Sequence, residues 1–235
     1  MPFAVFDVET RVDKTLLRSV LCRGEEIGDE EAFERARARA AGGGSDFLPL
    51  AFHVPVSIAV GTVDDARVLT SVELLGRGGD EAAIVCEFWE RLERFEGTLV
   101  SFNGRRFDLP VLELAALRHG CVIPRYFHGG YRDRQSDEAH YDLYDFATNW
   151  GSYSVRGGFD LLARLIGLPG KGDVDGAKVQ SLWEAGRLAE IDAYCRRDVI
   201  QTYFLFLRFE LMRGRISPAE HEAALAATAS FREML

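Results

Sequence analysis

Tyr194-Cys195-Arg196-Arg197-Asp198 lies in the middle of the chain's last long apolar-periodic stretch, residues 188–212. There Leu188, Ile191, Cys195, Val199, Thr202, Phe206 and Phe209 recur at helical spacing and predict the inward stripe of a core helix. Tyr194 and Asp198 are four residues apart, so hydroxyl and carboxylate emerge one above the other on a single face. A carboxylate beside an inward stripe is costly to bury unless it is paired, hydrogen-bonded or bound to a metal.

Partners for it begin at residue 7. Phe3-Ala4-Val5-Phe6-Asp7-Val8-Glu9-Thr10 is an apolar run ending in two carboxylates spaced by two, which a strand places on one face. An Asp at a strand end is also an ordinary turn residue. A third carboxylate stands in Asn103-Gly104-Arg105-Arg106-Phe107-Asp108-Leu109-Pro110, after the short strand predicted at 98–102. There Asp108 suits an N-cap with Pro110 in the first turn. The same segment offers an amide, two guanidinium groups and an aromatic face, a set that suits a single strand carrying phosphates and bases.

Between these motifs the chain reads as α/β. Residues 11–49 turn polar, with a helical segment at 29–41 whose alternating charges predict a solvated face on an insertion. Two strands at 52–60 and 67–72 flank Asp64-Asp65, and Ile84, Phe88, Leu92 and Phe95 mark an amphipathic helix over the sheet. Residues 125–134 predict a loop with interleaved basic and aromatic residues. His140-Tyr141-Asp142-Leu143 predicts the start of a helix, with His140 and Asp142 either structural hydrogen-bonding groups or neighbours of a metal. A short apolar helix at 161–166 precedes Pro169-Gly170-Lys171-Gly172-Asp173; the triphosphate-loop pattern is absent there, though Lys171 suits a point charge near a phosphate. Ser217-Pro218-Ala219-Glu220 is a capping box opening a final helix at about 217–235.

The 235 residues, 47% apolar and 28% charged, suffice for one globular domain spanning 1–235. No apolar run approaches the roughly 20 residues of a membrane span, and no leader pattern opens the chain, so a cytoplasmic location is expected. Four scattered cysteines without metal-ligand spacing predict reduced thiols. A formal charge of -9 argues against a broad electrostatic grip on nucleic acid, but acidic residues clustered at a divalent metal would still create a local phosphate site.

The motifs Asp7-x-Glu9, Asn103-x-x-x-Phe107-Asp108 and Tyr194-x-x-x-Asp198, in that order, resemble those of the DEDDy 3′-5′ exonucleases, which have an RNase H-like fold. More narrowly, the chain looks like the predicted 3′-5′ exonucleases related to the proofreading domain of B-family DNA polymerases. The resemblance spans nearly the whole length, leaving no room for polymerase palm or fingers, and implies a stand-alone or accessory exonuclease with a mixed central sheet flanked by helices.

That resemblance implies hydrolysis of single-stranded DNA from its 3′ end to nucleoside 5′-monophosphates. Its cofactors would be two divalent ions, Mg²⁺ or Mn²⁺, which hard oxygen ligands select over zinc. Two such ions roughly 3.5–4 Å apart clamp the attacking water and the leaving 3′ oxygen. By resemblance Asp7, Glu9 and Asp198 bind the metal that activates water, Asp7 bridges to the second, and Asp108 completes that second site. Tyr194 orients the water; its ordinary pKa of about 10 makes it a poor base. Thr10, Asn103 and Phe107 would hold the last nucleotides, and Lys171 matches a Lys-Gly-Asp element of protein-primed polymerases. Implied partners are single-stranded nucleic acid, DNA ahead of RNA, and DNA replication, proofreading or repair proteins. The rival readings are an exoribonuclease with the same site and a catalytically silent nucleic-acid-binding protein on the same fold.

Overall fold

A computed structural model of the chain describes residues 1–43, 47–76, 80–170 and 176–235, the side chains of 176 and 177 excepted. Its centre is a five-stranded sheet in the order β3-β2-β1-β4-β5. The strands are β1 (Phe3–Val12), β2 (His53–Val63), β3 (Leu69–Leu74), β4 (Thr98–Ser101) and β5 (His140–Asp142). β1 pairs antiparallel with β2 and parallel with β4, β2 pairs antiparallel with β3, and β4 pairs parallel with β5, so the sheet is mixed.

Around the sheet lie α1 (Lys14–Leu21), α2 (Asp29–Gly42), α3 (Glu81–Arg94), α4 (Asp108–His119), α5 (Pro124–His128), α6 (Leu143–Ala147), α7 (Gly158–Leu165), α8 (Gly176–Glu184), α9 (Leu188–Met212), α10 (Pro218–Ala227) and α11 (Ala229–Arg232). Alternation along β1 sorts them into layers. Phe3 and Val5 join a core cluster with Cys195, Val199 and Phe206 of α9, whereas Ala4, Phe6 and Val8 join one with Ile84 and Phe88 of α3 and Leu112 of α4. The odd-numbered face of β1 therefore looks at α9, and Asp7 and Glu9 continue that face.

Several expectations need correction. His140–Asp142 is the fifth strand, with helix only from Leu143; three residues are too few to display a period, and pairing with β4 at Leu99↔His140 and Ser101↔Asp142 decides the conformation. Residues 124–128 form a helical turn, and Tyr126 and Tyr131 are buried beside Trp89, which removes them from any base-stacking loop. The C-terminal helix is two helices broken at Thr228, whose hydroxyl donates to the Ala224 carbonyl at 2.7 Å. α9 is buried on more than one stripe, every residue from Asp198 to Leu207 being covered, because α7 and α10 pack on it as well as the sheet.

Residues 11–49 were expected to be an insertion and carry α1 and α2. Val12, Leu17, Cys22, Ala32, Phe33, Leu48 and Phe52 form a small apolar cluster there. Lys14 reaches across to Glu184 of α8 at 2.6 Å, and the Val12 amide donates to Gln180 Oε1 at 2.6 Å. Among the described residues no helix is long and apolar enough to cross a membrane.

Candidate active site

β1 and β4 run parallel, so the chain leaves both at the same sheet edge, where ligand sites of open α/β sheets sit. From β1 come Asp7 and Glu9. From the turn after β4 comes Asp108, the first residue of α4; the N-cap position belongs to Phe107 and no side chain caps it, so Asp108 is not the expected cap. Its carboxylate instead lines a cleft of about 1010 Å³ together with Asp7, Glu9, Tyr194 and Asp198. Thr10, Asn103 and Phe107 line the same cleft. Lys171 lies outside the described residues.

The turn carrying Asp108 is built tightly. Asn103 adopts a left-handed conformation at φ 65°, and Gly104 packs so closely that a Cβ there would lie 2.2 Å from Ser101 Oγ. Asp142, at the end of β5, accepts the Asn103 and Arg105 amides at 2.9 Å each and the Tyr144 amide at 2.9 Å. Burial pushes its carboxyl up while the amides of Arg105 and Asn103 pull it down. His140 accepts or donates at 2.8 Å with Ser101 Oγ and is held neutral, burial driving it far below the ordinary histidine range. Both residues left open in the sequence thus serve the turn. Arg105 points away from the cleft, donating to the carbonyls of Tyr131 at 2.9 Å and Ser136 at 3.0 Å, and also to that of His140. Of the two, Arg106 lines the cleft, over the Tyr144 ring at 5.8 Å.

Ser57 lies across from Glu9 in the β1–β2 ladder and donates to Asp192 of α9 at 2.7 Å, which fixes the start of the helix against the sheet. The Tyr194 ring packs with Val56, Val179, Leu182 and Ile191. Burial, then the charges of Asp198, Glu9 and Asp7, push the Tyr194 hydroxyl above its ordinary range, so it is a neutral hydrogen-bonding group. Cys195 is buried between the two elements, its thiol 3.4 Å from the Asp7 carbonyl oxygen and 3.7 Å from Asp7 Oδ2. Burial and the charges of Asp7 and Glu9 keep that thiol protonated.

Ligand atoms of Asp7, Glu9 and Cys195 lie within 4.8 Å of one another. A protonated thiol is a poor ligand, whereas the carboxylates of Asp7 and Glu9, with those of Asp108 and Asp198 in the same cleft lining, are hard oxygen donors of the kind divalent cations take; Glu9, Asp108 and Asp198 are only 7%, 5% and 5% exposed. Burying so much like charge in one cleft calls for positive charge there.

Phe47 and His53 escaped the sequence reading. His53 Nδ1 lies 2.9 Å from Thr10 Oγ1, and its ring packs against Phe47 and Phe107. Burial pushes His53 down from the ordinary histidine range. The only local signal was a histidine at the start of a strand, which carries no information about what faces it.

Comparison with known proteins bears on the fold and the family. No curated protein shows significant similarity to the chain. Among solved structures, the family B DNA polymerase from the hyperthermophilic archaeon Pyrobaculum calidifontis superposes with a TM-score of 0.57 at 19% identity, over 90% of this chain and 24% of that one. The chain thus spans about a quarter of that polymerase, and the likeness is one of fold, which is RNase H-like. A family model described as a predicted 3′-5′ exonuclease related to the exonuclease domain of PolB matches residues 45–234, a stretch that begins after Asp7 and Glu9. The chain belongs to that family of predicted 3′-5′ exonucleases.

Proposed function

We propose that this protein is a DEDDy-type exonuclease that removes nucleotides one at a time from the 3′ end of single-stranded DNA. The observation that carries the reading is that Asp7 and Glu9 of β1, Asp108 of α4, and Tyr194 with Asp198 of α9 all line one cleft. The family's relation to the exonuclease domain of a DNA polymerase supports DNA over RNA.

Asp7, Glu9, Asp108 and Asp198 would hold two divalent ions, Mg²⁺ or Mn²⁺. When bound, such ions supply Lewis-acid stabilisation of the phosphate and lower the pKa of a coordinated water. The carboxylates fix where positive charge collects, at the sheet edge between β1 and α9. Tyr194, neutral and anchored in its apolar cluster, offers its hydroxyl as a hydrogen-bonding partner that orients the attacking water. Attack at phosphorus breaks the bond to the 3′ oxygen, giving a nucleoside 5′-monophosphate and a strand one nucleotide shorter with a new 3′-hydroxyl. Thr10, Asn103 and Phe107 hold the terminal nucleotides, and Lys171 is proposed as a point charge near the phosphate on the family resemblance alone. The fold as one domain over 1–235, a cytoplasmic location, and work beside DNA replication or repair proteins are part of the same proposal.

The test is a 5′-labelled single strand of DNA, and one of RNA, incubated with Mg²⁺ or Mn²⁺. Stepwise shortening of DNA from the 3′ end, abolished by Asp7→Ala and by Asp198→Ala, is expected. Two intact strands with both metals, or unaltered degradation by those variants, would overturn the reading; faster degradation of RNA would move it to an exoribonuclease.

A further inference from the structure

Three aromatic rings meet on the cleft wall from parts of the chain far apart in sequence. Phe47 lies near the end of the 11–49 insertion, His53 opens β2, and Phe107 precedes Asp108. The Phe47 and His53 rings are nearly parallel, 20° apart with centroids at 5.8 Å, and Phe107 stands edge-on to both, at 5.3 Å from Phe47 and 5.2 Å from His53. Such packing normally buries aromatic surface. Phe47 nonetheless keeps 60% of its surface exposed, while Phe6, Phe88 and Phe206 are each 3% exposed or less.

The cluster is linked to the carboxylates by one peptide bond and one hydrogen bond. Phe107 is the immediate neighbour of Asp108. His53 is bonded to Thr10, itself the neighbour of Glu9, and a register shift between Glu9 and Thr10 in the β1–β2 ladder accompanies the appearance of both consecutive side chains in the cleft lining. The three rings and the carboxylates of Asp7, Glu9, Asp108 and Asp198 therefore line one and the same cleft. Of the basic side chains in the cleft lining, Arg106 lies over the Tyr144 ring at 5.8 Å, and Lys14 and Arg37 on the insertion are engaged by Glu184 and Glu34. A wall that is aromatic rather than cationic, facing a centre that is acidic, recognises the flat faces of bases more than a phosphate backbone.

We infer that Phe47, braced by His53 and Phe107, is a stacking platform for an unpaired base next to the 3′ end, and that the insertion serves to bring it there. This deepens the exonuclease proposal and rests on it for the identity of the strand. Stacking reads π-faces and not base edges, so the platform accepts any base and requires it to be unpaired.

The probe is a single-stranded oligodeoxynucleotide with 2-aminopurine as the base next to the 3′ terminus, titrated with protein in EDTA so that no hydrolysis accompanies binding. The expected result is quenching of the fluorophore by the wild-type protein, a Kd raised about tenfold with most of the quench lost in Phe47→Ala, and both retained in Phe47→Trp. Phe127→Ala, which removes an exposed aromatic outside the cleft, is expected to match wild type. Absence of quenching by wild type, an unchanged Kd and quench in Phe47→Ala, or an equal loss in Phe127→Ala each overturns the platform. Degradation by wild type with Mg²⁺ or Mn²⁺, measured beside the titration, separates the two ideas: degradation without a Phe47 effect refutes the platform alone, and Phe47-dependent quenching without degradation refutes the exonuclease reading alone.

Discussion

Asp142→Ala removes the acceptor that holds the turn leading into Asp108, and its cost can be worked from the bonds. The carboxylate accepts three amides at 2.9 Å, from Asn103, Arg105 and Tyr144, and a fourth from Asp145 at 3.4 Å. Bonds to an ionised acceptor contribute about 1.5–3 kcal/mol each, but the net value here sits at or below that range. Asp142 is only 4% exposed, and burial already penalises its ionised form, while the partly buried amides of Asn103 and Arg105 regain some hydration when released. About 1 kcal/mol for each short bond gives a loss of about 3 kcal/mol, a large share of a typical domain's stability. Asp142→Asn is milder: one oxygen can keep the Asn103, Tyr144 and Asp145 bonds, and only the Arg105 bond is lost, at a cost of about 1 kcal/mol. Urea unfolding of the three proteins measures both losses, and exonuclease rates are expected to fall in the same order as the turn bearing Asp108 loosens. Alanine and asparagine variants both within about 0.5 kcal/mol of wild type would refute the account of the turn.

His140, buried and neutral in the fold, takes up a proton on unfolding below its ordinary pKa of about 6.5, so the stability it contributes is present above that pH and is lost as pH falls toward its folded value. Unfolding free energies from urea titration are expected to drop by up to about 1.4 kcal/mol per pH unit below pH 6.5 from His140 alone, with His53 and His221 adding in the same direction, and His140→Gln is expected to flatten that slope. Gln201 makes two hydrogen bonds with the backbone of Gly170, accepting at 2.8 Å and donating at 3.1 Å, so Gln201→Leu strands both groups and is expected to cost about 2 kcal/mol in the same assay. Tyr194→Phe is expected to slow cleavage about tenfold to a hundredfold while leaving the Kd for a single strand in EDTA unchanged; equal losses in rate and binding would make the tyrosine structural.

What the sequence revealed about the site follows from where its periods are defined. Asp7 and Glu9 share a face because a strand repeats every two residues, and Tyr194 and Asp198 because a helix repeats every 3.6; both relations are local and survive into the structure. The limits of α9 were equally legible, since a long apolar period outlasts errors at its ends. Asp142 was not, because its meaning lies in pairing with β4 across an edge that a three-residue strand does not announce. Arg105 and Arg106 look equivalent in sequence, yet one is spent on the carbonyls of 131–140 and the other reaches the cleft.

The same distinction explains why the carboxylates could be found without the platform beside them. A set of carboxylates on β1, α4 and α9 needs only those elements to end at one side of the sheet, and the parallel course of β1 and β4 supplies that side. Phe47, His53 and Phe107 have no common period; they meet only once β2 has paired with β1 and the 11–49 segment has folded over its end. The family match starting at residue 45 takes in Phe47, His53 and Phe107 but leaves out the strand bearing Asp7 and Glu9 and the helices α1 and α2. The geometry therefore couples a wall inside the matched stretch to an acidic pair outside it, and the Thr10–His53 hydrogen bond is a side-chain contact between the two, added to the β1–β2 ladder.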